Sequence, residues 1–150
     1  MYSENLISSI QEKAKPTIAA FLESIEKRLG YEVVVLYTIV DKIFHNETYK
    51  KQNQENEYGC TFHNFGFAVA INCIDWDKNI TYNRNTPKID WVRSGIVELS
   101  KEFGLIWNGR TKEQVNTSFA YRPTSIECLK RKLRGYRDGY GNFNLSAVKI

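Results

Sequence analysis

The stretch Gly59-Cys60-Thr61-Phe62-His63-Asn64-Phe65-Gly66-Phe67-Ala68-Val69-Ala70-Ile71 decides how this chain is read. One imidazole, His63, stands three residues ahead of Gly66, and beyond that glycine small and apolar residues alternate. A period of two marks a strand with two different faces. Gly66 to Cys73 is therefore expected to be a half-buried core strand, with Phe67, Val69 and Ile71 on one face and Ala68 and Ala70 on the other. A lone histidine among Phe62, Phe65 and Phe67 is, taken by itself, a hydrogen-bonded core or rim residue more often than a metal ligand.

Upstream, apolar residues recur with helical spacing from Ser3 to Leu29: Leu6, Ile7, Ile10, Ala14, Ile18, Phe21, Leu22, Ile25 and Leu29. Pro16 splits this run or marks the first position of a second helix, which Gly30 ends. The β-branched run Tyr31 to Thr38 reads as another core strand, and the polar residues 40 to 58 as a surface segment containing a helix. Downstream, Trp76 to Asn85 is polar enough for a hairpin or loop. Thr86 and Pro87 are placed to open a helix running to Phe103, with Gly104 closing it. Leu105 to Trp107 and Thr117 to Tyr121 are short strand candidates. The expected class is α+β: a small, mainly antiparallel sheet packed with helices, followed by a C-terminal helix and tail.

At 150 residues the chain has the length of one domain, and a chain of that size buries about 68–70% of its extended surface. The three cysteines, Cys60, Cys73 and Cys128, form no Cys-x-x-Cys pair, so neither a structural zinc site nor a redox motif is indicated. The odd count favours reduced thiols over a secreted disulfide framework. Met1 to Asn5 lacks the basic start of a signal peptide and no apolar run approaches a membrane span. Synthesis in the cytoplasm without a signal peptide is the expectation, with release as part of a particle if the protein acts outside.

Charge is uneven. Residues 122–150 hold seven Lys or Arg against Glu127 and Asp138, while the whole chain carries +4. Thr124-Ser125-Ile126-Glu127 has the pattern of a capping box, opening a helix with Ile126, Leu129 and Leu133 on one side and Lys130, Arg131, Lys132 and Arg134 around the rest. The tail Gly135 to Asn144 mixes glycines with aromatics that need a surface to pack on. Two parts are thus distinguished, a core with N-terminal helices over residues 1–121 and a basic C-terminal region over 122–150. The latter either folds back on the core or serves as a docking element for a partner chain or anionic polymer. Tyrosines interleave its basic residues, but no helix-turn-helix, zinc-finger or RNA-recognition signature accompanies them, so specific nucleic-acid recognition is not expected.

The central stretch resembles the Ser-x-His-x-x-Gly-x-Ala-x-Asp signature of the zinc D-alanyl-D-alanine carboxypeptidase and L-alanyl-D-glutamate endopeptidase family, which shares its core fold with the hedgehog signalling domain. Thr61 stands for the Ser, His63 for the first zinc ligand, Gly66 and Ala68 for the Gly and Ala, and Ala70 for the zinc-binding Asp. A second match is Phe103-Gly104-Leu105-Ile106-Trp107-Asn108-Gly109, against Phe-Gly-Leu-x-Trp-Gly-Gly. The closing Asp-x-x-His-Phe, source of the general base and the last zinc ligand, falls on Val115-Asn116-Thr117-Ser118-Phe119. The family arginine that holds substrate carboxylate has no counterpart in Leu36 to Val40.

The resemblance implies a peptide cleft with a degenerate metal site. A catalytic zinc needs three protein ligands and an open water position, and its water becomes a hydroxide source only when the metal is held. Ala70 offers no donor, Ser118 is a poor neutral ligand, and His63 remains as the remnant of the set. The implied binding residues are Thr61, His63, Trp107, Ser118 and Tyr121; no catalytic residue and no cofactor is expected. The implied role is a catalytically impaired, structural or cell-wall-binding component that meets peptidoglycan peptide or the other chains of an assembly, such as a phage tail or contractile injection particle. Two alternatives stand beside it. One is an active zinc peptidase drawing substitute ligands from Cys60, Cys73, Asp75, Asp77 and His45. The other is a pure assembly scaffold whose cleft is filled by Phe62 or Phe65.

Overall fold

The computed structural model describes residues 7–51, 58, 61–107 and 117–146. Leu6, Gly59, Cys60, Asn108, Gly109, Val115 and Asn116 lie outside the described residues.

Helix α1 spans Lys15–Ser24 and buries Ile18, Phe21 and Leu22, as the helical spacing requires, with Pro16 in the first turn. Proline is tolerated there because that turn's N–H groups have no intrahelical partner. The last turn, Ile25–Leu29, widens into a π-helix, and Gly30 ends it in the left-handed region at φ 74°. Strand β1 is Glu32–Tyr37 and helix α2 is Lys42–Lys51. A single 3-10 turn, Phe62–Phe65, leads into β2, Ala68–Asp75, which hairpins back as β3, Ile80–Tyr82. Helices α3 (Lys88–Arg93) and α4 (Ile96–Glu102) precede the short strands β4 (Ile106–Trp107) and β5 (Ser118–Ala120), and α5 is Ile126–Lys132.

All strand pairs among the described residues are antiparallel, in the order β1-β2-β5-β4 with β3 also on β2. The class is α+β: a small five-stranded sheet packed with five helices. Val33, Val35, Val69, Ile71, Cys73 and Phe119 face helices that contribute Ile18, Phe21, Leu22, Trp91, Ile96 and Leu99. Strand β2 departs from the half-buried expectation, because Ala68 to Ile71 are buried on both faces. The second face, that of Ala68 and Ala70, also carries Ser118 and Tyr37 and lies under His63.

The helix expected from Thr86 to Phe103 is two helices. Gly95, at φ 89° with the Leu29 side chain 3.3 Å from where a Cβ would stand, turns the chain between them. The Ser94 hydroxyl donates to the Trp91 carbonyl and accepts from the Ile96 N–H at 3.1 Å, satisfying both broken ends. Thr86 does not cap α3. Its Oγ1 accepts from the Asn83 N–H, closing the preceding turn. The cap of α5 is likewise displaced by one residue from the expected box, with Ser125 Oγ accepting from the Cys128 N–H at 3.1 Å.

The C-terminal region folds back on the core. Leu129 and Leu133 of α5 and Phe143 of the tail join the same buried cluster as the sheet. The Phe143 ring packs against Tyr58 and Phe65, each centroid 4.9 Å away, and the Arg137 guanidinium lies over it at 3.9 Å. Asn142 Oδ1 accepts from the Lys42 N–H at 2.7 Å, which ties the tail to the start of α2. No helix among the described residues is long and apolar enough to cross a membrane.

Candidate functional site

Antiparallel register decides which side chains share a face. Ala70 lies opposite Ser118 on one side and Tyr37 on the other, so these three project from the sheet together. Tyr37 reaches that face because the β1 register slips between Val35 and Tyr37, a bulge that breaks the alternation set by Val33 and Val35. His63 is delivered above them by the 3-10 turn. Thr61 caps this turn through a reciprocal box with Asn64. Gly66 closes it at φ 76°, and its carbonyl accepts from the Gln11 N–H at 2.9 Å.

Three bonds pin the turn to the chain after β1. His63 Nδ1 lies 2.8 Å from the Thr38 carbonyl oxygen, Val40 N–H donates to the His63 carbonyl, and Asn64 Nδ2 donates to the Val40 carbonyl. On the other side of the ring, His63 Nε2 lies 2.9 Å from Ser118 Oγ. A carbonyl can only accept, so Nδ1 carries the proton and Nε2 accepts the Ser118 hydroxyl proton. The Tyr37 ring packs 4.9 Å from the imidazole. The result is a chain of neutral hydrogen bonds from Ser118 through His63 to Thr38.

Burial sets the electrostatics. His63 is 6% exposed and Ser118 4%, and loss of solvation pulls the imidazole pKa down from 6.5 to about 4, against the opposing pull of the Thr38 carbonyl. The Tyr37 phenol is held above its usual range, chiefly by burial. A serine donating to a backed imidazole has the connectivity of a nucleophile and its base. Here the base is weak and both groups are buried, so the pair ties β5 to the turn that carries His63.

The buried imidazole makes stability depend on pH. The unfolded chain takes up this proton below about pH 6.5, whereas the folded chain resists it until about pH 4. The stabilisation is therefore complete above pH 6.5, declines on acidification, and is gone below pH 4, a window worth about 3 kcal/mol. Urea unfolding of the wild type at several pH values is expected to show this decline. His63→Gln, which has no such proton to take up, should show a shallower one.

Of the five residues that the resemblance assigns to binding, His63 and Ser118 meet, and Ala70 lies opposite Ser118 on the same face. Thr61 serves the turn. Trp107 lies opposite Phe119, and Tyr121 stacks on Phe67 at 6.2 Å, so both belong to the opposite face of the sheet. The substitute donors are also dispersed. Cys73 points into the helix-packed core, where burial raises its thiol pKa. Asp75 Oδ1 accepts from the N–H groups of Asp77 and Lys78 in the hairpin turn, and His45 Nδ1 meets Asn64 Nδ2 at 3.3 Å. Among the described residues no three His, Cys, Asp or Glu side chains gather as a metal site. Phe65 is turned toward Phe143, and the side chain lying on His63 is Tyr37, which sequence reasoning did not single out. No model of a known protein family matches the chain, and no curated protein is similar to it.

Proposed function

We propose that this chain is a catalytically silent relative of the peptidoglycan D,D-carboxypeptidases and L,D-endopeptidases, working as a structural or cell-wall-binding component of a larger assembly such as a phage tail or contractile injection particle. The observation that carries the reading is the meeting of His63, Ala70 and Ser118 on one face of the sheet, with a methyl group and a hydroxyl where a carboxylate and an imidazole would complete a zinc site. Lacking those donors, the site has nothing to hold the ion or activate its water. Peptidoglycan fragments incubated with the protein and zinc are expected to show no new amine ends by mass spectrometry. A chelator-sensitive cut would overturn the proposal.

A second reading, an assembly scaffold that binds no wall peptide, is favoured by one further observation. The Tyr37 ring lies against His63, so part of the place a peptide would occupy is filled from within. Co-sedimentation with purified peptidoglycan separates the two: retention in the pellet supports wall binding, and quantitative recovery in the supernatant supports the scaffold.

A further inference from the structure

We propose that the exposed side of α5 and the loop after it bind single-stranded nucleic acid without sequence preference. This proposal does not depend on the reading given above. Helix α5 turns Leu129 and Leu133 inward, leaving Lys130, Arg131, Lys132 and Arg134 exposed. Among the described residues none of these four cations pairs with a carboxylate. They lie next in sequence to two exposed aromatic rings, Tyr136 at 48% and Tyr140 at 78%.

The loop that presents Tyr140 is braced from inside. Asp138 Oδ1 accepts from the N–H groups of Tyr140 at 2.8 Å and Asn142 at 3.0 Å, Asp138 N–H donates to the Asn142 carbonyl, and Arg137 Nη1 donates to the Gly141 carbonyl. The exposed ring is thus offered on a preformed loop, which lowers the ordering cost of a partner stacking on it. Exposed cations followed closely in sequence by open aromatic rings match what a single strand presents, a phosphate at each step and a base with a π-face. An acidic protein segment fits less well, since it meets the cations but brings no base to stack on the two open rings. A duplex also fits less well, since its bases are already stacked and α5, with seven residues, is a short probe for a groove.

The test is fluorescence anisotropy with labelled oligothymidylate across a range of salt. Neutralising four cations against a single strand gives a slope of log K on log salt of about −3. Changing Lys130, Arg131, Lys132 and Arg134 together to Ala should remove that dependence along with the binding. Tyr136→Ala with Tyr140→Ala should weaken binding about tenfold or more at an unchanged slope, from stacking worth about 1–3 kcal/mol per base. All six side chains are exposed, so both variants are expected to melt with the wild type. Absence of binding at low salt overturns the proposal. Equal affinity for polyglutamate, with the tyrosine variant unaffected, overturns it in favour of a generic polyanion surface.

Discussion

The double substitution Ala70→Asp with Ser118→His is expected to convert this chain into a zinc protein carrying close to one equivalent of metal. The two positions face each other across β2 and β5, and opposed side chains in such a pair start about 4.5–5.5 Å apart at Cβ. His63 Nε2 is already within 2.9 Å of the side chain at position 118. A carboxylate and a second imidazole there, with His63, make the three-ligand set of a catalytic zinc. The gain over the lone imidazole should be on the order of a thousandfold in affinity, about 4 kcal/mol. Without metal the variant should be less stable than the parent, because position 70 is fully buried and an aspartate there is an unpaired charge. Zinc should then raise its melting temperature, since it binds the folded state alone. Adding Tyr37→Ser removes the ring that lies on His63, and His63→Ala in either background should abolish the metal. If folded double and triple variants hold no more zinc than the wild type, these positions are not a ligand set and the proposed kinship loses its support.

Phe119→Ala is expected to be among the most damaging single changes outside that face. Phe119 is wholly buried in the middle of β5, with its ring 5.0 Å from Phe21 of α1 and 6.2 Å from Trp91 of α3. It is one of the side chains through which the sheet packs on both helices. Removing it leaves a cavity that close-packed neighbours fill only in part, at a cost of about 3–5 kcal/mol. For a domain of this length that corresponds to a fall in melting temperature of about 10 °C or more. Calorimetry checks the value. A loss below about 1 kcal/mol would mean that the two helices and the sheet are not joined through this ring.

The helices and strands were legible where one physical signal acted alone. Helical spacing placed Ile18, Phe21 and Leu22 on the buried stripe of α1, and alternation placed Val69 and Ile71 opposite Ala70 in β2. Gly30 and Gly104 stop helices in the left-handed region, as their positions suggested. What stayed hidden depends on tertiary contact. Gly95 breaks α3 from α4 under the Leu29 side chain, so a periodic sequence with one glycine read as a continuous helix. Tyr37 joins the His63 face through a bulge, and a one-residue slip of register leaves no mark in composition. Trp107 and Tyr121 were assigned to binding by likeness, yet two-residue periodicity puts them with Phe119, opposite Ser118. The tail's need for a partner surface was readable from its aromatics. That the partner is the Phe65 ring, which ends the His63 turn, was not.

The His63 imidazole is neutral and bonded at both ring nitrogens, and nitrogen-15 NMR of that ring observes this most directly. The expected spectrum at neutral pH is the tautomer with the proton on Nδ1, titrating near pH 4 and unmoved by an equivalent of zinc. A ring that titrates near its ordinary value, or one whose Nε2 signal shifts on zinc addition and returns with chelator, would contradict it.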